Sequence, residues 1–127
     1  MVEEEVWCGA PFLVMGPSDL RRVRTPGLVG LVRRRPQRVE MLYLGQGEDI
    51  SRLIVCGSSV WSRALLLGMN EAHVCLKARE RLDRLSLHQR LVKRLQPPIN
   101  GGFQSALAPI KSENTDFDQV SRQTFGV

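Results

Sequence analysis

Long apolar runs are missing from this sequence. The longest, such as Ala64 to Met69, stop well short of the roughly 18 residues needed to cross a bilayer, and charges interrupt every wider window. No transmembrane helix and no membrane partner are expected. Cysteine is scarce as well: Cys8, Cys56 and Cys75 are odd in number, widely spaced, and contain no C-x-x-C pair. That argues against a disulfide framework, a zinc site and a thiol redox motif, and leaves small buried hydrophobes or bystanders. His73 stands two residues before Cys75, so on a strand the two would share a face. Nothing around them resembles a thiol-enzyme motif, and a Cys-His nucleophile is not expected. A cationic leader is also lacking. The opening Met1-Val2-Glu3-Glu4-Glu5 has the wrong sign of charge for a targeting segment, so a cytoplasmic location is expected.

What the sequence does have is enough apolar material for one core and a surplus of arginine. In 127 residues, 43% are hydrophobic, which suffices for a single domain without disulfides or a structural metal. The formal net charge is +5 and the pI about 9.7. Arg greatly outnumbers Lys, and its planar fork suits phosphate. A basic surface of this kind concentrates polyanions such as nucleic acid.

Residues 1–25 read as an extended lead-in that packs on the core, with Pro11, Gly16 and Pro17 as punctuation and a brief turn of helix at 18–22. Two apolar runs, Gly27 to Val32 and Val39 to Leu44, flank the basic turn Arg33-Arg34-Arg35-Pro36-Gln37, the pattern of an antiparallel hairpin. Behind Glu48-Asp49, the spacing of Ile50, Leu53 and Ile54 predicts a short helix, and a second runs from Ser59 through Trp61 and Ala64 to Gly68. Ala72, Val74 and Leu76 alternate with His73, Cys75 and Lys77, as on a third strand. A long helix over 78–95 follows, with Leu82, Leu85, Leu91, Val92 and Leu95 on one stripe, an i,i+4 pair Glu80/Arg84, and a stop at Pro97-Pro98. Residues 101–127 show no sustained period and read as a flexible tail, whose Phe103, Phe117 and Phe125 could dock on a partner.

Three segments in order carry a resemblance: Pro26-Gly27-Leu28-Val29, Tyr43-Leu44-Gly45-Gln46, and the basic helix end Leu91-Val92-Lys93-Arg94-Leu95-Gln96 with its tail Pro97-Pro98-Ile99-Asn100. Together they resemble the GIY-YIG endonuclease superfamily over about residues 20 to 100, with 26–100 as the domain. The resemblance implies an α+β fold, a small three-stranded antiparallel sheet flanked by helices. It also implies a one-metal phosphodiester hydrolysis, with magnesium or manganese as the ion, tyrosines that activate water, an arginine that steadies phosphate, and a metal-holding glutamate.

This sequence departs from that set. Val29 stands where the first tyrosine belongs, and His88 where the glutamate belongs. Tyr43, Arg52 (one position out of register) and His88 are the remaining catalytic candidates, and the metal ligands are unknown. Glu40, Glu48, Asp49 and Glu80 are carboxylates without motif support. The expected nucleic-acid contacts are Arg33, Arg34, Arg35, Arg38, Gln46, Arg90, Lys93, Arg94 and Asn100. The resulting expectation is a module with a degenerate nuclease-like site that binds duplex or branched DNA. The alternatives are an active divalent-metal-dependent endonuclease with a remodelled site, and a protein-interaction module that uses Trp7, Trp61 or the tail.

Overall fold

The computed structural model describes residues 3–54 and 57–101. The chain divides into two units, 1–97 and 98–127, and in the second, residues 98–101 form a helical turn. The expected positions Phe103, Phe117 and Phe125 lie outside the described residues.

The first unit contains strands β1 (Glu4–Trp7), β2 (Ala10–Met15), β3 (Gly27–Arg35), β4 (Arg38–Gly47) and β5 (Glu71–Cys75), with helices α1 (Ser59–Leu66) and α2 (Arg81–Leu95). Pro17–Arg22 and Ile50–Arg52 are single turns of 3-10 helix. All five strands join one antiparallel sheet in the order β1-β2-β5-β3-β4, curled into a half-barrel. The expected small three-stranded sheet flanked by helices is therefore corrected to a larger curled sheet with few helices. The lead-in supplies the difference. Its residues form a hairpin closed by Cys8-Gly9, both at positive φ (49° and 87°), which is the backbone that two-residue hairpin turns use. Pro11, expected as punctuation in the lead-in, pairs with Val6 at a level where β2 shares no register with β5.

Cross-strand register sorts the side chains between the two faces, because directly opposed residues project to the same side. Leu28 opposes Gln46 and Cys75, Gly30 opposes Leu44 and His73, and Val32 opposes Met41 and Glu71. The apolar members of this face, Leu28, Val32, Met41, Leu44 and Cys75, form a buried cluster with Phe12 and with Leu91 of α2, and Trp7, Leu87, Val92 and Leu95 pack against it. On the other face, Val29 opposes Gly45 and Val74, and Leu31 opposes Tyr43 and Ala72. Because both faces are covered, Gly27 to Val32 is buried without interruption. Gly27 permits the closest approach: a Cβ there would lie 2.5 Å from the Cys75 carbonyl oxygen and 2.7 Å from Ile50 Cδ1.

The helices begin and end where local chemistry dictates. Ser58 caps α1 by accepting from the Trp61 N–H at 3.3 Å, and Gly68, at φ 95°, follows its last turn. Asp49 accepts from the Ser51 N–H, but the helix expected here stops after Arg52. α2 starts at Arg81 rather than Ala78, because Glu80 is extended, and it ends at Gln96 in the left-handed region, just before Pro97. Leu82, expected on the buried stripe, is 79% exposed.

Candidate nucleic-acid interface

The three residues expected to do chemistry are not brought together. Tyr43 is half-buried on the face that carries Val29 and Leu31, where its ring lies over Gly45, 3.0 Å from the position of an added Cβ. Burial pushes its phenol above the ordinary value, away from a role as phenolate. His88 is on α2, which packs over the opposite face. Its Nε2 lies 2.9 Å from the Leu44 carbonyl oxygen, which only accepts, so this nitrogen carries the proton. Beside it runs an open cleft lined by Leu85, Gln89, Val92 and Lys93. The side chain of Arg52 is 88% exposed, with Nε 3.6 Å from Asp49 Oδ2. Val29 is fully buried in the sheet.

Among the described residues, most of the carboxylates named as candidate ligands are already engaged. Glu40 is held by Arg33 and Arg38, Glu48 by Arg84, and Asp49 by Ser51 and Arg52. His88 has one nitrogen engaged with a carbonyl and, among the described residues, no carboxylate bonded to it. Among the described residues no group of three or more His, Cys, Asp or Glu is placed to hold a metal ion.

The hairpin arginines, expected to grip phosphate, are largely consumed by the sheet. Arg33 donates to Glu40 at 2.6 Å and to the Leu67 carbonyl at 2.8 Å, anchoring β3 to the end of α1. Arg38 reaches the same Glu40 at 3.0 Å. Arg34 donates through Nε to Glu71 at 2.6 Å and through Nη2 to Glu5 at 2.8 Å, linking β3 to β5 and β1. Those two hydrogen bonds hold its guanidinium pKa above the ordinary value. Of this group only Arg35 is exposed without an ion-pair partner among the described residues. Gln46, another expected contact, accepts from Arg84 at 3.0 Å. Asn100 lies in the helical turn of the second unit.

The Arg34 linkage continues inward. Glu71 meets the fully buried His73 at 2.9 Å, and the Trp7 indole N–H donates to His73 Nδ1 at 3.0 Å. Indole only donates, so Nδ1 accepts and Nε2 carries the proton toward Glu71. Both ring nitrogens are engaged, so this imidazole is not available to Cys75 as a base. Trp7 is partly buried, packed against the core with its indole N–H engaged.

Burial raises the Glu71 pKa, but its bonds to Arg34 and His73 outweigh that and leave it below the usual carboxylate range; the Arg33 hydrogen bond does the same for Glu40. A carboxylate depressed in the folded state contributes stability above its unfolded value, and that contribution is lost as pH falls through the folded one. Thermal melts at decreasing pH should therefore show stability falling below about 4.5, the ordinary glutamate value, with a shallower fall in Glu71→Gln. A melting temperature independent of acid pH would contradict these pairings.

Cations without partners gather elsewhere. Arg90, Lys93 and Arg94, at i, i+3 and i+4 on the outer face of α2, are exposed and make no ion pair among the described residues, and the same holds for Lys77, Arg79 and Arg81 before and at its start. The end of a helix favours cations in its last turn, which accounts for Lys93 and Arg94, but Arg90 lies a turn further back. No helix among the described residues is long and apolar enough to cross a membrane. No known family, curated protein or solved structure matches the chain.

Proposed function

We propose that the chain is a nucleic-acid-binding module that contacts the phosphate backbone of duplex DNA through the exposed cationic face of α2. One observation carries this reading: the uneven use of carboxylates. Arg33, Arg34, Arg38, Arg52 and Arg84 are each held by an acidic side chain, whereas Arg90, Lys93 and Arg94 stand together on one helix face with no such partner among the described residues. Free cations at this spacing neutralise phosphates and release counterions, which gives affinity without base readout. Cleavage is not part of the proposal, because the sheet separates Tyr43 from His88 and, among the described residues, no group of acidic or ligating side chains is gathered at either. A protein-docking role finds no support in Trp7, whose indole is engaged internally.

The test is fluorescence anisotropy of a labelled duplex titrated with the protein at several salt concentrations. The log of affinity should fall linearly with the log of salt, equally for unrelated sequences. Absence of binding at low salt would remove the proposal.

A further inference from the structure

Arg84 was expected to form a surface pair with Glu80, and it does not. Its side chain is 1% exposed, beneath the start of α2. Nε donates to Gln46 Oε1 at 3.0 Å and Nη1 to the Arg79 carbonyl at 2.8 Å. Nη2 meets Glu48 Oε2, which is the one carboxylate paired with Arg84 among the described residues. The two ends of this pair differ sharply: Glu48, just past the end of β4, is 72% exposed. The neutral acceptors belong to the framework, while the charge that balances the buried guanidinium comes from a side chain standing mostly in water.

The Nη2 N–H that Glu48 engages donates to a phosphate oxygen as it does to a carboxylate oxygen. Breaking a buried pair by removing one partner is strongly unfavourable, so the buried guanidinium favours an anion in this place whichever group supplies it. The surrounding charge favours an incoming one: Lys77, Arg79 and Arg81 are exposed and without ion-pair partners among the described residues. We infer that Arg84, with Gln46, forms a phosphate-group site that the Glu48 carboxylate occupies when no phosphate is bound. The inference concerns the start of α2 and does not depend on the contacts proposed for Arg90, Lys93 and Arg94.

Glu48→Gln keeps the shape of the occupying side chain and removes its charge, and Glu4→Gln makes the same change in net charge at an exposed position of β1 that makes no ion pair among the described residues. In calorimetric titrations with inorganic phosphate at constant ionic strength, Glu48→Gln should bind roughly tenfold or more tightly than the wild type, and Glu4→Gln should not. Glu48→Gln should also melt lower than the wild type without phosphate and recover as phosphate, but not chloride, is added. If it fails to fold without anion, refolding induced by phosphate and not by chloride is the expected result. Replacing Arg84 by Lys in the Glu48→Gln background should abolish the gain. A parallel titration with a short duplex separates the sources of the group. A gain for both ligands assigns the phosphate to a nucleic-acid backbone, and a gain for inorganic phosphate alone assigns it to a free anion. No gain in phosphate affinity and no rescue of stability in Glu48→Gln would overturn the inference.

Discussion

Phe12→Ala should cost about 3–5 kcal/mol of stability, the range for truncating a fully buried aromatic. Phe12 is 0% exposed and belongs to the same cluster as Leu28, Leu44, Cys75 and Leu91, which come from the central sheet and α2. An N-terminal segment merely lying against a three-stranded core would not place a phenylalanine at its centre. In the five-stranded sheet Phe12 opposes Glu5 on β1, and the β2–β5 register carries it beside that ladder's end at Leu13 and Val74. Val6→Ala on the same hairpin is the control: Val6 is 61% exposed, and the change should stay within about 0.5 kcal/mol. Urea unfolding measures both. A Phe12→Ala cost as small as that of Val6→Ala would mean that β1 and β2 are not integral to the core.

How much of this was legible depended on whether the deciding information was local. Two apolar runs around a basic turn located β3 and β4, alternation located β5, and the 3.6-residue stripe ending at Pro97 located α2. The N-terminal hairpin was hidden because β1 has four residues, its turn advertises itself only through Gly9, and Pro11 reads as punctuation. Strand order is a long-range property that no local pattern records. The site fared worse for the same reason. Sequence shows Arg33, Arg34 and Arg35 as a cluster of charge, but not the carboxylates that β1 and β5 bring to them from Glu5 and Glu71.

Two local signals in the sequence do carry part of it. Once the hairpin turn is fixed at Pro36-Gln37, Arg33 necessarily opposes Glu40. Likewise, Arg84 precedes His88, Leu91 and Leu95 at helical spacing, so it belongs to the inward stripe of α2 and not to its solvent face. The same parity reasoning separates Tyr43 from His88: Tyr43 opposes Leu31, whereas α2 covers the face of Leu28, Val32 and Leu44. Motif order in the sequence preserved neither relationship.

The second large effect is on binding. Replacing Arg90, Lys93 and Arg94 together by glutamine should weaken duplex DNA binding at low salt by roughly tenfold or more, because each lost phosphate contact removes a share of the counterion release. The three side chains are exposed, so folding should be little affected, apart from a few tenths of a kcal/mol lost in the last turn of α2. Circular dichroism checks that. Arg35→Gln, at the exposed tip of the β3–β4 hairpin, should by contrast leave affinity close to that of the wild type. The measurement that bears most directly on the role of α2 is the salt dependence of duplex affinity in the wild type and the triple variant. The slope of log affinity against log salt should become shallower by about 2–3 in the variant, matching three phosphates at about 0.9 each. An unchanged slope in the triple variant, with the loss appearing in Arg35→Gln instead, would contradict binding through α2.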